Sequence, residues 1–251
     1  MTGTAPFEQL LLQIEDRSAA LRSAASAASD FAARVPGCPE WTLGDLVTHL
    51  GGVQRFWALT TRLSDPTGPP TDEQRGDLEV EGDLLTWSAE STALLIEALT
   101  AAGPDGPAWA WWGASESPMT AGAIARHQVQ EAAVHAFDAQ ESGGRAEPLP
   151  AAVAVDGVAE FIQVGLGSSG PWPGRPARIA FTATEGPSWV LDLTPSGARL
   201  DPAAGGEPVA TVHGSASELV LALYNRISFD DLRVDGDRAV LAELLGWEPE
   251  E

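Results

Sequence analysis

The stretch "ARHQVQEAAVHAFDAQ" at residues 125–140 has the composition and spacing of a long alanine-rich helix, from which the interpretation of the chain starts. It places Glu131 and His135 four residues apart, so that both side chains lie on one helix face about one turn apart. A carboxylate and an imidazole at that separation can bind the same divalent ion. Ordinary solvated helices carry the same pair, so spacing alone leaves a metal site and a polar helix face both open.

His49 is the natural third ligand from a second helix. It stands in the middle of "LGDLVTHLGGVQRFW" (residues 43–57), where the apolar pattern would otherwise continue. Gly51 and Gly52 follow it, although a glycine inside a helix costs about 1 kcal/mol relative to alanine. Open space beside the imidazole, into which a ligand can enter, is one explanation. A core histidine with a single hydrogen bond is the alternative.

The other two histidines are weaker candidates. His127 shares the helix of Glu131 but is rotated by about 80° from His135. We interpret it as a residue that supports the ligands or as a surface residue, with a fourth-ligand role as the minor alternative. His213 stands in "TVHGSAS" before a predicted helix, and the pattern favours a residue at the end of a strand.

The N-terminal part of the chain reads as helices separated by Pro- and Gly-rich connections. The predicted helices cover residues 6–34, 42–63, about 81–101 and 120–140. Thr42 and Asp45 form a capping-box-like start for the second of them. Four helices with short or moderate connections predict a bundle. The segment "ESGGRAEPLP" (141–150) is a plausible hinge, and we place the domains at 1–145 and 146–251.

The pattern changes beyond the hinge. Strands are predicted at residues 177–184, 188–195, 207–214 and 232–237, and helices at 151–166, 215–226 and 238–246. Hairpin-like strands with helices segregated to one side predict a small α+β domain. The fold class is therefore α+β, with a four-helix bundle first.

Composition limits the classes of function. The net charge is −22 and the pI about 4.3, and such a field repels nucleic acid and anionic membranes. The apolar runs fall short of a membrane span, and the acidic N-terminus does not resemble an export signal. Cys38 is the one cysteine, so no internal disulfide or cysteine-rich zinc site can form. We expect a cytoplasmic protein in which histidines and carboxylates hold any metal.

Two helical motifs and the C-terminal part resemble a known family. The segment "VPGCPEWTLGDLVTHLGGVQRFW" (35–57) is similar to the N-terminal signature of the mycothiol-dependent maleylpyruvate isomerase family, within the DinB-like superfamily. The segment "QEAAVHAFDAQ" (130–140) resembles the family's fourth-helix motif, in which Glu and His are metal ligands. Residues 209–247 resemble the small α+β domain at the end of these proteins. The resemblance covers most of the chain and implies a DinB-like bundle.

The resemblance implies that His49, Glu131 and His135 hold a divalent metal, with zinc expected. Asp138 also matches the fourth-helix motif, and it either orients a ligand or makes a structural hydrogen bond. Three positions depart from the family pattern, which often has His before the ligand Glu and Arg-Trp after the ligand His. These positions hold Gln130, Ala136 and Phe137. The departures put contacts to the thiol cofactor or the substrate in doubt.

A three-ligand zinc can bind a thiol and remove its proton, and thiolate is the nucleophilic form. Cys38 is interpreted as structural, so an external thiol is expected, and the resemblance implies mycothiol. The activated thiolate serves either a maleylpyruvate-type isomerase or a mycothiol S-transferase acting on xenobiotic or natural-product electrophiles. A non-catalytic DinB-like protein that binds a small molecule is the alternative of another class, and an interaction module is a third. Arg226 is the candidate to bind an anionic substrate, or else it only contacts a helix end.

Overall fold

The computed structural model describes residues 4–28, 30–75, 80–201 and 206–247. Two compact units emerge from its backbone contacts. One, here called the bundle unit, contains Ala5–Ala110 and Met119–Leu149. The other, here called the sheet unit, contains Pro150–Glu251, the first four residues and the loop segment Trp111–Pro118. The domain ranges 1–145 and 146–251 stay a prediction.

Four long helices build the bundle unit. They are α1 (Phe7–Ala27), α2 (Leu43–Leu63), α4 (Leu84–Ala102) and α5 (Ala121–Ser142), with a short α3 (Asp72–Arg75) between the second and third. The main packing contacts join α1 to α5 and α2 to α4. Apolar side chains from three of these helices are fully buried where they meet, among them Leu21, Leu50 and Ala132. The predicted four-helix arrangement is therefore present.

The start of α2 is set by local sequence, as predicted. The Thr42 hydroxyl accepts a hydrogen bond from the Asp45 backbone N–H at 3.1 Å, and the Asp45 carboxylate accepts one from the Thr42 backbone N–H at 2.9 Å. This reciprocal capping box satisfies donors that a helix N-terminus would otherwise leave unpaired. It fixes the helix register that places His49 two turns further on.

The predicted first helix, 6–34, is too long, because α1 ends at Ala27. Backbone carbonyls of the following segment serve another purpose. The Ala33 carbonyl accepts a hydrogen bond from the Leu43 N–H, and the Phe31 carbonyl accepts one from the Gly44 N–H. Both carbonyls thus bond to the first turn of α2. Residue 29 lies outside the described residues. A hairpin that the sequence pattern did not predict follows, with β1 (Arg34–Val35) paired to β2 (Cys38–Thr42).

The two glycines after His49 have different explanations. A Cβ on Gly51 would collide with the Trp87 indole of α4, so this glycine permits close helix packing, and the prediction that it opens space beside the imidazole is wrong. A Cβ on Gly52 would meet nothing within 4 Å. Gly52 lies three residues after His49, on the same face of α2. The predicted open space therefore exists at Gly52 alone.

Replacing Gly51 by alanine is expected to destabilise the protein by about 1–3 kcal/mol, because the new methyl group overpacks the Trp87 contact. Gly52→Ala is the matched control. Its methyl group enters open space, and the gain in helix propensity predicts an unchanged or higher stability, by up to about 1 kcal/mol. Urea denaturation of both variants measures the difference. Equal effects at the two positions would contradict this assignment.

A buried polar network links three bundle helices. Gln54 of α2 donates from Nε2 to the Ser18 hydroxyl at 2.8 Å and accepts at Oε1 from the Thr92 hydroxyl at 2.8 Å. Arg22 donates to the same Thr92 oxygen at 2.9 Å. Gln54 is completely buried, yet both ends of its amide are bonded. Buried polar side chains are normally satisfied in this way.

In its described residues, the sheet unit contains one mixed five-stranded sheet. Its strands are β3 (Ala177–Ala183), β4 (Ser188–Thr194), β5 (Gly197–Leu200), β6 (Ala210–Gly214) and β7 (Arg233–Gly236), in the order β5-β4-β3-β6-β7. Helix α6 (Ala151–Gln163) packs against β4 and β5, α7 (Ala216–Leu223) against β3 and β6, and the two helices contact each other. Helix α8 (Ala239–Leu245) ends the described fold. The predicted α+β class is confirmed.

The strand arrangement differs from the predicted hairpins in two respects. β3, β4 and β5 form successive antiparallel hairpins, but β6 returns to pair with β3 in parallel, with Ile179 opposite Ala210 and Phe181 opposite Val212. Parallel strands are joined by a long connection and not by a short turn, so no local turn motif in the sequence predicts this pairing. β5 was not predicted, and Gly197, at φ 115°, begins it directly after the turn.

Among the residues that the structure describes, one stretch, Ala151–Ser168, is long and apolar enough by composition to cross a membrane, with a mean hydropathy of 1.3. Its α-helical part has 13 residues and spans about 20 Å, whereas the bilayer core is about 30 Å thick. It also includes the buried Glu160. Core helices of soluble proteins have the same composition, so this stretch is weak evidence for a membrane span.

Candidate metal centre

His49 of α2 and the pair Glu131 and His135 of α5 converge in the bundle unit. Nε2 of His49 lies 3.0 Å from Oε1 of Glu131, and Nε2 of His135 lies 3.3 Å from the same oxygen. The imidazole rings of His49 and His135 are 5.1 Å apart, nearly perpendicular to each other. The structure thus brings together the three residues that the sequence singled out.

The donor set and its spacing suit a divalent metal. The three candidate ligand atoms all lie within 4.8 Å of one another. Zinc binds imidazole nitrogen and carboxylate oxygen at about 2.0–2.2 Å, so neighbouring ligand atoms of a tetrahedral site are about 3.3 Å apart. The 3.0 Å and 3.3 Å separations at Glu131 are close to that length. Two imidazoles and one carboxylate are also a known ligand set of catalytic zinc.

Without a metal, Glu131 and His135 form a buried ion pair. Burial would raise the pKa of Glu131, but the charge of His135 and the hydrogen bonds with both imidazoles hold it well below its usual value. Burial would lower the pKa of His135, but Glu131 and Asp138 outweigh it and raise the pKa from 6.5 to about 9. A metal that binds here therefore replaces a proton on His135.

Asp138 contacts the ring nitrogen of His135 that does not face Glu131. Its carboxylate is completely buried, and Oδ2 lies 2.9 Å from Nδ1 of His135. A proton on Nδ1 donates to this carboxylate, which leaves Nε2 directed at Glu131. The Cys38 thiol donates to the same carboxylate oxygen at 3.9 Å. The geometry therefore favours the orienting role for Asp138 that the sequence left open beside a structural one.

Trp41 is a residue of the candidate site that the sequence did not single out. Its indole lies 4.5 Å from the His49 ring and 6.0 Å from the His135 ring, measured between ring centroids. β2 carries Trp41 to the imidazoles and Cys38 to the Asp138 carboxylate, so the unpredicted hairpin forms one wall of the site. The motif "PGCPEW" contained the signal, but only the hairpin shows what these side chains contact.

The remaining candidates lie elsewhere. His127 packs edge-on against the Trp57 indole of α2, with 6.2 Å between ring centroids, and its charge contributes to lowering the pKa of Glu131. It does not belong to the three-residue cluster found within the described ranges. Arg226 belongs to the sheet unit, where its guanidinium donates to the Tyr224 carbonyl at 2.8 Å just after α7. Its substrate-binding role stays a prediction.

His213 has a local partner in the sheet unit. It lies in β6, near the end of the strand as the pattern indicated, and its Nε2 is 3.0 Å from the Asp235 carboxylate of β7. The Arg233 guanidinium donates to the same carboxylate at 2.8 Å. His213 is therefore a surface member of a cross-strand polar group.

The three departures from the family pattern are buried positions. Gln130 is completely buried, Ala136 is 1% exposed and Phe137 is 9% exposed. Ala136 belongs to the apolar core with Leu21 and Leu50, so the methyl group fills a packed position. At the place where the family often has arginine, this chain therefore has a core alanine, and the three candidate ligands still lie together.

Comparison with known proteins gives matches along most of the chain. Residues 11–140 match the family model of the mycothiol maleylpyruvate isomerase (MDMPI) N-terminal domain, and residues 152–243 match the model of the MDMPI C-terminal domain. A comparison with curated proteins gives no match.

Two similar solved structures are a crystal structure of the mycothiol-dependent maleylpyruvate isomerase and one of its histidine-to-alanine mutant. Each has a TM-score of 0.61 and a sequence identity of 16%, and each match covers 92% of this chain and 93% of the chain in the solved structure. At this identity the structures show a shared fold. The family models match both halves of the chain, and they confirm the resemblance found in the sequence. The chain therefore belongs to the mycothiol maleylpyruvate isomerase family.

Proposed function

We propose that this protein is a cytoplasmic, metal-dependent enzyme that uses mycothiol to isomerise an electrophilic substrate of the maleylpyruvate type. The observation that carries the proposal is the convergence of His49, Glu131 and His135 on one point between α2 and α5. Family membership supports mycothiol as the thiol and maleylpyruvate as the first substrate to test. Zinc is the proposed metal because of the donor set.

Each residue has a proposed task. His49 and His135 offer Nε2 and Glu131 offers a carboxylate oxygen to the metal. A divalent metal bound there lowers the pKa of a thiol, so that it reacts as the thiolate at neutral pH. Asp138 holds His135 in the orientation that presents Nε2. Trp41 covers the two imidazoles on one side and limits the access of water.

The test is an isomerase assay on protein purified without a histidine tag. Mass spectrometry measures the bound metal, and maleylpyruvate absorbance follows the reaction with and without mycothiol. We expect about one metal per chain and turnover that requires both metal and thiol. His49→Ala should abolish both, and His213→Ala is the matched control because that imidazole lies in the sheet unit on Asp235.

Other outcomes separate the alternatives. Retained metal without isomerisation, together with thiol adducts of test electrophiles, would replace the proposal with a mycothiol S-transferase. Wild-type protein that takes up no metal would contradict the metal-dependent mechanism and favour the non-catalytic binding protein.

A further inference from the structure

Gln128 of α5 is a buried amide without partners. It is completely buried, and within the described part of the chain neither Oε1 nor Nε2 has a hydrogen-bond partner. Gln54, the comparable buried glutamine of α2, has both atoms bonded. An unmet buried polar group is rare and unfavourable, so it requires an explanation.

The position of Gln128 relates it to the candidate metal centre. It precedes Glu131 by three residues and His135 by seven, so the helical period places all three on one face of α5. Glu131 contacts His49, whereas His127 contacts Trp57, eight residues further along α2. The two helices therefore run in opposite directions, and Gln128 lies between these two contacts.

The facing helix has open space at the same level. Gly52 follows His49 by one turn toward the C-terminus of α2, which is the direction of Gln128 on the antiparallel α5. A side chain at Gly52 would meet nothing within 4 Å. Open space at Gly52 of α2 thus lies at the level of Gln128, but the completely buried amide does not border it. Gln128 therefore meets a ligand in this space only when its side chain turns toward the candidate metal centre.

We propose that Gln128 binds the amide group next to the sulfur of the thiol cosubstrate, an inference that rests on the proposed function. When the sulfur of a cysteinyl thiol binds the metal, the amide groups of the same cysteinyl residue lie only a few bonds away from that sulfur. Gln128 lies about 4.5 Å from Glu131 along the helix axis, which is similar to the distance between the sulfur and the amide of the thiol. A glutamine amide offers one acceptor and two donors, which complement the N–H and C=O of that group.

Gln128→Met tests this assignment, because methionine is unbranched, similar in length and a good helix former. We expect unchanged metal content and an unchanged or higher Tm, since the unmet amide is removed. Titration calorimetry of the metal-loaded protein should show that mycothiol binds about tenfold more weakly. Gln140→Met on the same helix is the control, since Gln140 has a partner in the Glu147 N–H.

Small thiols refine the test. Wild-type protein should bind N-acetylcysteine amide more tightly than 2-mercaptoethanol, which lacks the amide, and this preference should vanish in Gln128→Met. A variant that binds mycothiol as tightly as wild type would overturn the assignment and leave the proposed function intact. Wild-type protein that takes up metal but binds no mycothiol would contradict the proposed function and this assignment together.

Discussion

Replacing Glu131 by alanine will remove both metal binding and isomerase activity. Glu131 is the residue that contacts both candidate ligand imidazoles, at 3.0 Å and 3.3 Å. Residues that merely orient a ligand account for about 10–100-fold in metal affinity, so loss of a ligand should exceed 100-fold. Metal content after dialysis and the initial rate with maleylpyruvate and mycothiol measure the two effects.

Two further variants control this experiment. Glu131→Gln keeps the volume of the side chain and removes its charge, so it should lose the metal while it retains the fold. Glu90→Ala changes the net charge equally, but its side chain on α4 is 65% exposed and pairs only loosely with Arg55 at 3.9 Å. We expect wild-type activity from it. A Glu131→Ala protein with full activity would refute the ligand assignment.

Metal binding should displace one proton from His135 and depend steeply on pH. The pKa of this imidazole is raised to about 9, so it is charged at pH 7 in the metal-free protein. Apparent zinc affinity should therefore rise about tenfold per pH unit from pH 6.5 and level off above pH 9. Competition with a chelator measures it. Asp138→Asn removes a charge that raises this pKa, so its affinity should level off at a lower pH.

The same pKa predicts the stability of the metal-free protein. A raised pKa means that the folded state binds the proton more tightly than the unfolded state does. This contribution, on the order of 3 kcal/mol, is complete below pH 6.5 and is lost as pH rises through 9. The Tm of the metal-free protein should fall across this window. The Tm of the zinc-loaded protein should not fall in this way, because its His135 binds the metal as a neutral imidazole. Identical pH profiles would contradict the buried pair.

Local signals made part of the fold predictable. The capping box of Thr42 and Asp45 lies within four residues, so it could be read before the structure was known. The end of α1 depends instead on backbone carbonyls that bond to α2, and no pattern within residues 6–34 contains that information. The parallel pairing of β3 with β6 is equally non-local. Sequence periodicity reports on neighbours along the chain and not on partners from other elements.

The candidate site shows the same division. Helical spacing placed Glu131 and His135 on one face. His49 was a candidate because it interrupts the apolar pattern of the second helix, and the family resemblance implied the same three ligands. The structure brings these three together. The prediction for Gly51 was wrong, because the residue that requires a glycine there is Trp87, whose indole belongs to another helix. Gln128 carried no signal at all, since a glutamine inside an alanine-rich helix becomes conspicuous only when its burial and missing partners are known.

The assignment of Trp111–Pro118 to the sheet unit has a consequence for biosynthesis. Trp112 of this segment is fully buried, and its indole N–H donates to the Pro118 carbonyl at 3.2 Å. A ribosome delivers this tryptophan well before Pro150 and the residues after it, which make up the rest of that unit. The Trp112 side chain of the nascent polypeptide must therefore stay exposed to solvent until those residues are made. During that interval the polypeptide is most prone to aggregate.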